Sequence, residues 1–332
     1  MKRLILLIVL LIAIQVFTAC GPSNGEVVPV SEELIPVKLL LDWVPNTNHT
    51  GIFVADGNGY FEESGLDIEI IQPGEVYPEA AVASGTADFG ISFQEYVTLA
   101  RAGDVPIVSI AAVIQHNTSG FASAAGLNVA SPADFEGLRY GAFGTPFEAP
   151  TLKALMEHAG GDFEKLEIVD TGWADPLALI AENQIDIAWI FYGWQGFQAQ
   201  QQEIDLNILM MEDYFEFIPD YYTPVIITSE DSITDKPEVI EAFMEALSRG
   251  YDFAIENPDE AAEILVAAVP ELDLELIKAS QVWISEYYQE DAPRWGEQKE
   301  EVWQDYIDWM VAQGILLSPI ISSDAFTNQF LP

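Results

Sequence analysis

The segment 41–61, LDWVPNTNHTGIFVADGNGYF, sets Asp42, Trp43, Asn46, Asn48 and His49 close together between an apolar run and a helical pattern. Asp42 with His49 is a pair that proton transfer could use, while the asparagines and the indole could grip a small molecule. Catalysis needs more than a pair. The chain has three histidines, His49, His116 and His158, and a single cysteine, Cys20. No two histidines stand at the i, i+4 spacing of a metal-binding helix, and His158 beside Glu157 reads as a surface residue. These residues do not assemble into a nucleophile, a base and an orienting group, so neither an enzyme, a metal site nor a cofactor is expected.

Other strand ends carry similar residue types. Phe93 and Gln94, with Glu95 beside them, follow one apolar run, and Gln115 follows the next. Further along come Phe143, Gly144, Thr145 and Glu148 in YGAFGTPFE, then Trp173, then Trp189, Tyr192 and Trp194 in WIFYGWQG, then Tyr221 and Tyr222. Aromatic faces stack on flat heterocycles, and neutral amides and hydroxyls read their edges. Lys and Arg are missing from every one of these strand ends. A phosphorylated or carboxylated ligand would want positive charge, so the expected ligand is small, neutral and heteroaromatic. The GxFG of 141–144 lacks the third glycine of a dinucleotide fingerprint and reads as a turn lining a cleft.

Such residues act together only if the chain carries them to one place. From residue 37 onward, strand-like runs (37–43, 66–72, 87–92, 105–114) alternate with helical patterns (51–61, 77–84, 93–102), which is a βαβ series. A second series follows, with strands at 138–143, 166–170, 185–191 and 206–209 and helices near 146–159, 175–182 and 194–202. After a run at 224–229 come long amphipathic helices. An α/β architecture of two mixed, mostly parallel sheets in two lobes is expected: 37–116 and 224–332 in the first lobe, 117–223 in the second. Crossing strands near 116–126 and 213–224 would join them, with the ligand cleft between the lobes at the carboxyl ends of the strands.

The opening residues, MKRLILLIVLLIAIQVFTAC, have a basic head, an apolar run and small residues before the cysteine, the layout of an export signal over 1–19. The lone Cys20 stands where a lipoprotein signal places its lipid acceptor, and 20–36 reads as a polar tether. With 12 basic and 54 acidic residues, the net charge is −42, a poor match for nucleic acid or anionic lipid headgroups.

Six segments taken together, LDWVPNTNHTGIFVA, YGAFGTPFE, FYGWQG, DYYTPV, WGEQKEEVWQDYIDWM and AFTNQFLP, resemble the solute-binding lipoproteins of ABC importers in the pyrimidine-precursor group, relatives of the fungal thiamine-pyrimidine synthases. The resemblance implies a type II periplasmic-binding-protein fold closing on its ligand. It also implies a monomer anchored by lipid on the extracytoplasmic face of the cell membrane and a membrane permease as partner. The synthases of that group depend on iron and use a cysteine-rich motif with an active-site His and Lys. Here Cys20 is the only cysteine and no lysine stands near His49, so a synthase-like enzyme is the weaker reading. The group includes binders of riboflavin and of the thiamine precursor formylaminopyrimidine. The abundance of aromatic residues, with Asn46, Asn48, Gln94, Gln115 and Thr145 to meet ribityl hydroxyls, favours riboflavin. Formylaminopyrimidine or a related hydroxymethylpyrimidine is the alternative.

Overall fold

In the computed structural model, which describes residues 33–74 and 76–332, the chain forms two five-stranded sheets. The strands are β1 (Ile35–Leu40), β2 (Leu66–Ile71), β3 (Phe89–Ser92), β4 (Ile107–Ala112) and β5 (Ser119–Ala124). They continue with β6 (Arg139–Ala142), β7 (Glu167–Asp170), β8 (Ile187–Phe191), β9 (Leu206–Met210) and β10 (Val225–Ser229). The first sheet runs β2-β1-β3-β10-β4 and the second β7-β6-β8-β5-β9. In the first, β1 is parallel to β2 and β3, and β10 is antiparallel to its neighbours. In the second, β6 is parallel to β7 and β8, and β5 is antiparallel to β8 and β9. Strands buried on both faces read as largely apolar runs, as IVSIAA of β4 does. The edge strand β2, LDIEII, alternates instead.

Two segments pass between the sheets, 113–118 from β4 to β5 and 211–224 from β9 to β10. The first is shorter than the 116–126 read from sequence, because Ser119–Ala124 is already paired on one side with β8 and on the other with β9. Small residues make this pairing tight: a Cβ on Gly120 would stand 2.6 Å from the Leu209 carbonyl oxygen.

The helix Thr50–Gly57, which follows the DWVPNTNH loop, lies against the long helix Pro237–Glu256. Two glycines permit the approach, since a Cβ on Gly250 would lie 2.0 Å from the Gly51 carbonyl oxygen and one on Gly51 would lie 2.3 Å from the Tyr251 ring. The loop is therefore seated on the first core. The last helix, Glu300–Ala312, serves both sheets. Its Trp303 packs with Tyr222 and Val225, while Tyr306, Ile307, Trp309 and Met310 enter the core beside Phe121 and Trp189. A reading that gives 224–332 wholly to the first lobe misses this sharing, because one amphipathic stripe does not reveal that its two ends meet different neighbours.

At the other end, β1 already begins at Ile35, whose amide donates to the Gly65 carbonyl at 2.9 Å, so the tether expected through residue 36 ends sooner. The export signal over 1–19 and Cys20 lie outside the described residues. No described helix is long and apolar enough to cross a membrane.

Candidate functional site

The first wall of the cleft is the loop after β1. Asn46 caps a 3-10 turn, Thr47–His49, by accepting from the Asn48 amide at 2.9 Å, and its Nδ2 donates to the Val44 carbonyl at 2.9 Å. His49 is fully buried. Its Nδ1 accepts from the Asn46 amide at 3.3 Å, which puts the ring proton on Nε2, and Nε2 donates to Asp42 Oδ1 at 2.7 Å. The Tyr251 hydroxyl donates to the Asn48 carbonyl at 2.7 Å, and the Tyr288 hydroxyl donates to the Thr47 carbonyl. His49 is thus the orienter of Asp42 behind the wall and does not itself line the cleft.

The second wall is the turn after β6. Glu148, at the start of the helix Glu148–His158, accepts from the Tyr140 hydroxyl (2.8 Å) and from the amides of Phe143 (2.9 Å), Gly144 (2.9 Å) and Thr145 (2.7 Å). The Thr145 hydroxyl adds a contact at 3.1 Å. Both carboxylate oxygens are therefore occupied inside the protein, and Glu148 is a turn-former, not a ligand contact. Gly144 supplies the positive φ of 92° that the turn needs, and its amide is spent on Glu148. The turn presents Phe143, which stacks on Trp173 with centroids 5.0 Å apart, and Thr145.

Between these walls lie two contiguous compartments. The inner one, a cavity of about 50 Å³, is bounded by Phe93, Tyr96, Phe147, Trp189, Phe191 and Tyr221, with Glu95, Ser119, Phe143, Thr145, Trp173 and Thr223 completing it. The outer one, about 40 Å³, is bounded by Asp42, Trp43, Asn46, Asn48, Trp194 and Gln195. Phe93, Trp173 and Phe191 border both. Phe93 follows β3 and Phe191 ends β8, so their near-parallel rings, 6.3 Å apart, face each other from the two sheets. Trp173, 54% exposed, also borders a third, larger hollow with Asp42, Trp43 and Tyr77. Among the described lining residues of all three spaces there is no Lys, Arg or His. Among the described residues no group of His, Cys, Asp and Glu is arranged to hold a metal.

Of the residues read from sequence, the cleft gathers Asp42, Trp43, Asn46, Asn48, Phe93, Phe143, Thr145, Trp173, Trp189, Trp194 and Tyr221. Besides His49, Gly144 and Glu148, four others stand elsewhere. Gln94 Oε1 accepts from the Tyr222 amide at 2.8 Å and its Nε2 donates to the Val302 carbonyl, fastening the second crossing to the last helix. Gln115 Nε2 donates to the Glu297 carbonyl at 3.1 Å. Tyr222 is buried and its hydroxyl accepts from the Lys299 amide at 2.8 Å. Tyr192 packs on Trp283, centroids 5.0 Å apart, and accepts from Gln200. A side chain that follows a strand has as many backbone partners behind the wall as ligand atoms before it, and sequence does not separate the two.

Tyr96, Ser119, Phe147, Phe191, Gln195 and Thr223 line the cleft without having been selected, and Glu95, noted only as a neighbour of Phe93 and Gln94, lines it too. For Phe191 a signal existed: it stands two residues after Trp189 on β8, hence on the same face. Burial pushes the Glu95 carboxyl up to about 8 and raises the Tyr96 and Tyr221 phenols above their ordinary values.

A family described as NMT1/THI5 like matches residues 46–261. The chain is 31% identical to a formylaminopyrimidine-binding protein of Halalkalibacterium halodurans over 97% of this chain and 98% of that one. It is 27% identical to the riboflavin-binding protein RibY of Chloroflexus aurantiacus, over 95% and 91% of the two chains. Among solved structures, the alkanesulfonate-binding protein SsuA of Xanthomonas axonopodis superposes with a TM-score of 0.67 at 14% identity, covering 89% of this chain and 99% of that one. That likeness is one of fold, the periplasmic-binding-protein fold. With most of its length matched by the family and its sheets in that fold, the chain belongs to the NMT1/THI5-like family.

Proposed function

We propose that the chain is an extracytoplasmic solute receptor of an ABC importer, lipid-anchored through Cys20, that captures a flat, uncharged nitrogen heterocycle and hands it to a membrane permease. The observation that carries this reading is the double aromatic compartment, edged by Asn46, Asn48, Thr145 and Gln195 and free of cationic side chains among its described lining. Stacking fixes the ring plane, and the few polar groups fix its rotation. The two relatives reported above, both named as binding proteins, support a receptor over an enzyme.

Riboflavin is the first candidate, because its tricyclic ring and ribityl chain suit two compartments joined at Phe93, Trp173 and Phe191. Formylaminopyrimidine is the second reading, favoured by the outer compartment, which holds Asp42, Asn46 and Asn48, and by the 31% relative. Protein denatured, stripped and refolded is titrated with each compound, following riboflavin fluorescence and binding heat. Quenching with a Kd of about 1 μM or tighter is expected for riboflavin. Absence of quenching together with heat from formylaminopyrimidine transfers the assignment, and heat from neither removes this class of ligand.

A further inference from the structure

The lining of the inner compartment includes a carboxyl that the protein matches only in part. Glu95, the second residue of the helix Gln94–Ala102, is 4% exposed, and its Oε2 has no hydrogen-bond partner. Asn117 on the first crossing has an equally unmatched Nδ2, its Oδ1 being taken by the Ser119 amide (2.7 Å) and hydroxyl (2.6 Å). The Tyr221 phenol, from the second crossing, is within hydrogen-bonding reach of both Glu95 and Asn117, so it shares part of the Glu95 carboxyl while Oε2 is left over. The titratable groups that face Glu95 are phenols: Tyr96 on its own helix, Tyr221, and Tyr306 from the helix Glu300–Ala312. No cation is among them. Two more carboxyls, Glu79 and Glu148, act on Tyr96 from farther round the pocket.

A buried carboxyl among phenols is held as the neutral acid near pH 7, offering one donor and one acceptor on adjacent oxygens. Leaving one of its oxygens unmatched carries a desolvation cost that a complementary ligand edge offsets. We propose that Glu95 selects the ligand by pairing with a cis-amide or amidine edge of its heterocycle, one hydrogen bond donated and one accepted. This rests on the receptor reading above and narrows it. Rings without adjacent donor and acceptor atoms are rejected because they strand the acid, and anionic ligands are rejected because they meet no cation. The dione end of a flavin and the ring-nitrogen/amino edge of an aminopyrimidine both satisfy the rule.

The test measures affinity for riboflavin and for formylaminopyrimidine, with the full chain refolded free of ligand, at about pH 6.5 and about pH 9. The wild-type protein is expected to bind about tenfold more weakly at the higher pH, as a group titrating near 8 loses its proton. Glu95→Gln, which keeps a donor and an acceptor, should stay within about threefold of wild type at the lower pH and show no such loss, the ligand's own titration cancelling between the two proteins. Glu95→Leu should lose about tenfold or more at both. Melting curves of each variant establish that it is folded. Equal weakness of Glu95→Gln and Glu95→Leu, or parallel pH profiles for wild type and Glu95→Gln, overturns the inference while the receptor reading stands. If wild type binds neither compound, the receptor reading falls and the inference falls with it.

Discussion

Two tryptophans show how one residue type divides its labour. Trp173 is 54% exposed, and apart from the Phe143 ring it leans on little. Trp189 is 5% exposed, packs on Phe121 with centroids 5.1 Å apart, and donates Nε1–H to Ser119 Oγ at 2.8 Å. Trp173→Ala should therefore weaken ligand binding by about 1–3 kcal/mol and leave the melting temperature within error. Trp189→Ala should weaken binding and also lower stability by about 3–5 kcal/mol, since it opens a hole in the second core. Parallel titration and denaturant unfolding of the two variants check this. A destabilised Trp173→Ala, or a Trp189→Ala as stable as wild type, would contradict the division. His49 makes the same point for chemistry: a histidine beside an aspartate has the composition of a proton relay, yet both ring nitrogens are spent on Asn46 and Asp42.

Elements were more legible than the directions of their side chains. Strands β1 to β10 fall within a few residues of the apolar runs that announce them, because alternation or continuous hydrophobicity follows directly from which faces are buried. The first crossing was misplaced because the small residues of SGFASA, which follow it, look the same in sequence whether paired or not. The turn after β6 was legible as a cleft-lining turn, but the role of Glu148 was not, since five donors from four residues reach it only once the helix Glu148–His158 is docked. Glu148→Ala strands those donors. The expected result is a loss of about 2–4 kcal/mol of stability and, because Phe143 and Thr145 lose their fixed position, weaker ligand binding in the folded protein. Urea unfolding and titration of the same preparation decide it. Loss of stability with binding unchanged would mean that the turn does not shape the cleft.

At the scale of the whole molecule, the two sheets are joined by crossings that touch each other at His116. Its Nδ1 meets Asp220 of the second crossing at 2.5 Å, and its Nε2 meets Asp291 at 3.3 Å, while Asp291 also pairs with Lys299 at 2.9 Å. Asp220 further accepts from the amides of Asn117 (3.0 Å) and Tyr221 (2.9 Å), so one aspartate ties both crossings together. In a chain of net charge −42 this is a place where a cation is held between carboxylates at the junction of the sheets. The hydrogen bond to Asp220, aided by its charge and those of Glu290 and Asp291, raises the His116 pKa from 6.5 to about 9 against the opposing effect of burial. A folded-state value above the unfolded one means that the stabilisation is complete below about pH 6.5 and is lost as the pH rises through about 9. Wild type should therefore lose roughly 1–2 kcal/mol more than His116→Gln between those pH values, a figure already reduced for solvent screening of a part-exposed pair. Glu95, whose raised pKa makes stability fall between about pH 4.5 and 8, is common to both proteins and cancels in the difference. Denaturant unfolding of the two proteins across that range measures the effect, and superimposable pH profiles would show that the His116 pair does not hold the crossings together. The Glu95 and His116 effects are separable in the ligand as well: loss of the His116 proton should change how firmly the sheets are joined without altering which heterocycle edge is preferred, whereas loss of the Glu95 proton should do the reverse.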